Sequence, residues 1–258
     1  MERLTRTDRP RGMSAAMLRT WGYICILMGV VAKGLIQNGL LGFSDMNTQQ
    51  MLEVMNQSGN AMSMVTVSIV LLLLEACALP IFAFLLVEGF QKTSSYKNYL
   101  IRVAAVALLS EIPYNLAFSG KFFAVDSRNP MFALVFCLLM LYFYRYCSAR
   151  SFKNTVIKVL VTIAALLWCG MLSIEHGAFL VIMVSALWLI RKKPNFRPYV
   201  ACGAAALATL TSMFYIVTPF SCLILHFYNE EKGESNRVFN LLCYPLMLLA
   251  VGIAVILL

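Results

Sequence analysis

The chain has 258 residues, of which 60% are hydrophobic and only 13% charged, with 21 lysines and arginines against 12 aspartates and glutamates for a formal charge of +9. A water-soluble domain carries about a quarter charged residues, so this composition excludes a soluble enzyme, a disordered chain and a secreted disulfide scaffold. A nucleic-acid partner is excluded too, because it calls for a charged face on a polar domain.

A bilayer core about 30 Å thick takes roughly 20 apolar residues per helix. Eight stretches meet or approach that length: 20–41, 63–90, 99–118, 130–146, 156–172, 177–190, 199–226 and 239–258. Residues 1–19 form a basic tail and 20–258 a single transmembrane domain. The first span is too long for a signal h-region and has no clear small-residue cleavage site, so it reads as a retained anchor. Near its middle stands Lys33. The outer loop 45–60 follows, where Met51, Leu52, Val54 and Met55 give either an interfacial helix or an ordered loop on the spans.

Span two carries Glu75 at a depth comparable to Lys33, and Glu88 close to its inner end. Ionisable groups at membrane depth are costly and mark a site or an ion pair. Lys33 and Glu75 read as a structural pair joining spans one and two, with direct chemistry as the alternative. Span three contains Ser110-Glu111-Ile112-Pro113-Tyr114-Asn115. Pro113 cannot donate to the helical ladder, and irregular backbone in a bilayer must be satisfied by protein or water. The group reads either as a polar cavity opening outward or as a kink with a satisfied polar cap. Glu175 and His176 occupy the short turn between spans five and six, and His226 ends span seven before Tyr228-Asn229. Adjacent helical residues point in different directions, so Glu175 and His176 read as interfacial polar residues. Pro80, Pro219 and Pro245 interrupt spans two, seven and eight.

Basic residues set the orientation. Arg3, Arg6, Arg9, Arg11 and Arg19 precede span one; Lys92, Lys97 and Arg102 separate spans two and three. Arg145, Arg150, Lys153 and Lys158 separate four and five; Arg191, Lys192, Lys193 and Arg197 separate six and seven. These segments alternate, so the positive-inside rule predicts eight crossings with both termini cytoplasmic. Asp45, Glu53, Asp126, Glu175, Glu230, Glu231 and Glu234 then lie outside. The eight cysteines form no CxxC pair, and no metal, nucleotide or nucleophile-elbow motif occurs.

The run from Leu79 through Pro80-Ile81-Phe82-Ala83-Phe84-Leu85-Leu86-Val87-Glu88-Gly89-Phe90 resembles the TraX family of polytopic membrane proteins. The likeness continues through Tyr99-Leu100-Ile101-Arg102, Ser110-Glu111-Ile112-Pro113-Tyr114-Asn115, the segment from Asn129 to Phe132, Tyr228-Asn229 and Tyr244-Pro245-Leu246. The named member of that family is associated with N-terminal acetylation of conjugative pilin. The resemblance implies an acyltransferase of the plasma membrane that moves an acetyl group from acyl-CoA (acetyl-CoA), the co-substrate, to a peptide, lipid or glycan acceptor, with no tightly bound cofactor.

Five positions depart from the family pattern. Ala32-Lys33 stands where an Asp-His pair is usual, Ala76 where an Arg is usual, Met247 replaces a His, and Glu175 an Asp. The candidate residues for chemistry are therefore Glu111, Lys33 and Glu75. Those for substrate contact are Glu88, Tyr114, Asn115, Asn129, Glu175, His176, Tyr228 and Asn229. The alternative is a catalytically inactive homologue serving as a membrane transporter or interaction partner.

Overall fold

A computed structural model describes residues 12–258 except 44, 45, 125, 126, 148, 150 and 235. Arg3, Arg6, Arg9, Arg11, Asp45, Asp126 and Arg150 therefore lie outside the described residues. The fold is all helical, with no strand among the described residues. Five stretches are long and apolar enough to cross a membrane: 15–40, 59–92, 96–119, 152–171 and 238–257. Three shorter apolar ones cover 131–146, 177–189 and 213–227.

Helix α1 (Ala15–Val30) begins at Ser14, whose Oγ accepts from the Met17 N–H, so Arg19 lies on the helix rather than in the tail. It continues as a ten-residue π-helix, Val31–Leu40. A π turn is wider than an α turn, is rare, and is frequent at functional sites; here it carries Lys33. The amphipathic loop forms a helix, α2 (Thr48–Gln57), opened by a reciprocal cap between Asn47 and Gln50. Helices α3 (Gly59–Ala76) and α4 (Ala78–Lys92) make one pass broken at Cys77. Pro80 falls in the first turn of α4, where its missing N–H has no intrahelical partner to lose. The remaining long elements are α5 (Tyr96–Ser119), α6 (Met131–Tyr146), α7 (Phe152–Met171) and α8 (Gly177–Leu189). They are followed by α9 (Arg197–Ala208), the short α10 (Thr218–Ile224) and α11 (Arg237–Leu257).

Contacts fix the direction of each pass. Gln37 bonds Ser68, Gly29 abuts Glu75 and Gly22 abuts Phe82, so α3–α4 runs antiparallel to α1. By contrast, α11 runs parallel to α1. Their starts are tied through the Met13–Phe227, Ala15–Glu231 and Ala16–Lys232 main-chain bonds, with Tyr23 donating to the Asn240 carbonyl. Farther along, Gly34 meets Val251 and Gly39 meets Leu258. Ala15 and Leu258 are therefore at opposite ends of the bundle, whereas the eight-crossing arrangement expects them at the same end.

The count changes for the same reason. Stretch 199–226 is not one span but a hairpin: the chain reverses at 209–212, and Cys202 on α9 donates through Sγ to the Pro219 carbonyl opposite. Both feet of the hairpin return to Glu88. Arg197 reaches its Oε2 at 3.3 Å, and the Tyr228 hydroxyl its Oε1 at 3.3 Å. The described residues thus make seven passes and one hairpin. Tyr228, Glu230, Glu231, Glu234, Lys232 and Arg237 consequently sit at the end bearing Arg19, Lys92 and Arg197, not at the opposite end. This is the basic end of the bundle.

The buried core has two parts. One joins α4, α6, α8 and α9; the other joins α1, α5 and α11 around Val30, Val106, Tyr114 and Leu248. Helix α7 is the most peripheral, with Leu160, Leu167 and Trp168 more than half exposed. Such residues in continuous rows are satisfied by lipid rather than water.

Candidate functional site

Between the two core halves lies a cavity of about 1060 Å³. Arg19, Lys92, Arg102 and Lys232 line it at the basic end. Ile26, Val30, Phe82, Leu86, Val103, Val106 and Leu241 form its middle. Its deep part is lined by Glu75, Tyr114, Glu175, His176 and Tyr244. The polar cavity expected to open outward from Glu111 is thus replaced by one that opens at the basic end. Lys92 and Glu75 are separated by 17 residues along α4 and α3, or about 25 Å at helical rise.

The lining of its deep part comes from α3, α5, the α7–α8 turn and α11, and Lys33 of the π-helix stands behind it on Glu175. The π-helix presents Lys33, whose Nζ donates to Glu175 Oε1 at 2.5 Å. The Tyr114 hydroxyl of α5 donates to the other oxygen of Glu175 at 2.5 Å, and is 2.9 Å from Ser127 Oγ. Glu75 lies within electrostatic range of both Lys33 and Glu175 but makes neither bond. The ion pair is therefore Lys33–Glu175, which corrects the expected Lys33–Glu75 partnership. Gly29 makes room for Glu75, since a Cβ there would lie 2.0 Å from its carboxyl carbon.

Glu175 and His176 both reach the cavity because they sit in a turn, not a helix. His176 adopts a left-handed backbone (φ 56°) at the start of α8, a conformation open to His at modest cost. Main-chain bonds between Arg128 and residues 173 and 175 brace the turn. The His176 Nδ1 is 2.9 Å from the Tyr215 hydroxyl at the tip of the hairpin. Sequence reasoning missed Tyr215. Its signal was the polar group Thr209, Thr211 and Ser212, which marks a reversal inside a run read as one span.

Other candidates stand apart. Glu111 is outside the cavity and accepts from Arg128 at 2.9 Å. The Asn115 amide donates to the Phe122 carbonyl. Asn129 is fully buried and structural: it donates to the Ala107 carbonyl and accepts from the Met131 N–H and the Tyr244 hydroxyl. Glu88, Tyr228 and Asn229 belong to the foot of the hairpin. Lys92 also pairs with Glu88 there, at 2.7 Å. Burial, reinforced by the Glu88 carboxylate, pushes the Tyr228 phenol above its usual range, so it serves there as a donor. Asn229 accepts from the Glu231 N–H and bonds the Met13 carbonyl through its own N–H.

The ion pair makes a measurable expectation. In a double-mutant cycle, Lys33→Ala and Glu175→Ala should couple by about 1–3 kcal/mol in unfolding measurements, whereas Lys33→Ala and Glu75→Ala should couple less. Equal coupling in both cycles would reject the assigned partner.

Among known proteins, no curated protein matches the chain. No solved structure matches it either. A protein family does, over residues 47–255, under the description TraX protein. The matched region holds Glu75, Glu88, Tyr114, Glu175, His176 and the whole hairpin, while Lys33 lies before it. A match over most of its length establishes that this multi-pass membrane chain belongs to the TraX family.

Proposed function

We propose that the protein is a membrane acyltransferase whose acyl-CoA donor enters from the cytoplasm. The observation that carries this reading is the cavity joining a basic mouth to a deep polar cluster. The basic end is assigned to the cytoplasm by the positive-inside rule. Moving Lys232 and Arg237 to that end strengthens the asymmetry beyond the one expected for eight crossings. Leu258 then lies on the outer side, and the cell membrane is the expected location.

In this reading the anionic part of the donor rests among Arg19, Lys92, Arg102 and Lys232, and its thioester arm follows the apolar walls. Lys33, paired with the cavity-lining Glu175, supplies positive charge near where the carbonyl oxygen gains negative charge during attack. His176 accepts the proton of the acceptor amine or hydroxyl. A bond forms from that nitrogen or oxygen to the acyl carbon, the carbon–sulfur bond breaks, and the thiolate leaves with the proton returned through His176. The acceptor is a peptide, lipid or glycan.

The test combines binding and turnover. Acetyl-CoA should raise the thermal stability of the purified protein in both wild type and His176→Ala. Transfer of labelled acetyl to membrane acceptors should fall about 10²–10⁴-fold in the variant. If acetyl-CoA neither stabilises the protein nor donates label, the reading is wrong.

A further inference from the structure

The hairpin is built to deliver one hydroxyl to one imidazole. Its feet are held at the basic end by Glu88, and its reversal at 209–212 reaches the level of His176. Beyond the reversal, Ser212 accepts from the Phe214 N–H and opens a tight 3₁₀ turn over Met213–Val217. Thr218, fully buried, closes it by donating to the Tyr215 carbonyl at 2.7 Å. The turn docks at the break between α3 and α4, where Cys77 Sγ approaches the Val217 carbonyl. The Tyr215 ring packs on Phe179 with centroids 4.7 Å apart, and meets the His176 ring edge-on at 5.7 Å. Packing thus fixes the ring and leaves its hydroxyl on His176 Nδ1.

We infer that Tyr215 is a positioning residue that holds His176 as the Nδ1–H tautomer, with the Nε2 lone pair left for the cavity. The direction of the bond rests on the acyl-transfer reading. A proton acceptor needs a bare nitrogen toward its substrate, so the proton belongs on the nitrogen facing Tyr215 and donates to the phenolic oxygen. Which nitrogen is protonated in a neutral imidazole is set by the hydrogen bond the other makes. The charged and titratable groups around His176 are its neighbour Glu175, Lys33 from the π-helix and Tyr215 itself, with Glu75 from α3 close to Tyr215. None of the other three makes the Nδ1 contact. Tyr215 therefore decides the tautomer.

The chain contains two histidines, and His226 is exposed at the foot of the hairpin. In full-length His226→Gln protein with ¹⁵N-labelled histidine, the ring nitrogen shifts therefore report His176 alone. They should show Nδ1–H in this background and a switch to Nε2–H on adding Tyr215→Phe, which keeps the ring packing and removes only the hydroxyl. An Nε2–H signal before that change, or the same tautomer after it, overturns the inference.

Kinetics give an independent arm. Tyr215→Phe should lower kcat by about 10²-fold, as a misplaced tautomer does to a general base, with KM for acetyl-CoA within about twofold. An unchanged kcat counts against the inference. Absence of any turnover in the parent protein would sink the acyl-transfer reading instead, leaving the tautomer to be decided by the shifts.

Discussion

Glu88→Ala is expected to destabilise the protein by about 3–5 kcal/mol, the range found when one partner of a buried ion pair is removed. The Glu88 side chain is 9% exposed and that of Arg197 13%. Without the carboxylate, Arg197 retains its bond to the Arg191 carbonyl but keeps an uncompensated charge, and its Nε is already buried without a partner. Lys92 is a different case: its side chain is 53% exposed, so Lys92→Ala should cost no more than about 1 kcal/mol. Unfolding of the two variants side by side is the measurement. Equal losses would mean that Glu88 is an ordinary helix-end residue and not the clamp of the hairpin.

The second large effect is all-or-none. A reporter active only outside the cytoplasm, such as alkaline phosphatase, should be active when fused after Leu258 and silent when inserted at Gly233. A cytoplasmic fluorescent reporter should give the reverse pattern. One crossing, α11, separates the two sites in either arrangement, and a hairpin that returns to the side it left puts Gly233 in the cytoplasm and Leu258 outside. Eight crossings would instead place Leu258 in the cytoplasm and Gly233 outside. The pair of sites therefore distinguishes the two arrangements without reference to activity.

Helix content, membrane character and the basic end were all legible in the residues, because burial in lipid demands long apolar helices and charge remains at their ends. Direction was not. Hydropathy counts apolar residues and is blind to a chain that turns back, so 199–226 looked like one long span. Depth was legible as well, but azimuth was not: Glu75 and Glu175 offer carboxylates at similar levels, and only the packing of the π-helix beside the α7–α8 turn selects Glu175 for Lys33. The local rule that neighbouring residues diverge applied to a helix, and Glu175 and His176 are not in one. The motif that carries the family likeness, Leu79 to Phe90, proves to be the most buried part of the fold. Ala83, Phe84, Leu86 and Val87 pack within the main core, so that run is legible mainly as packing.

The side-by-side start of α1 and α11 has a consequence for biogenesis. Tyr23 bonds a carbonyl 217 positions later in the chain, and Lys33 a carboxylate 142 positions later. At roughly 5–20 residues per second of synthesis, Lys33 waits on the order of 7–30 s for its counter-ion. During that interval the first helix must reside in the membrane, or beside the insertion machinery, with an unpaired ammonium. Its lasting position is consequently set late, when the α7–α8 turn and then the last helix arrive, so chains interrupted before Glu175 should be substrates for membrane quality control.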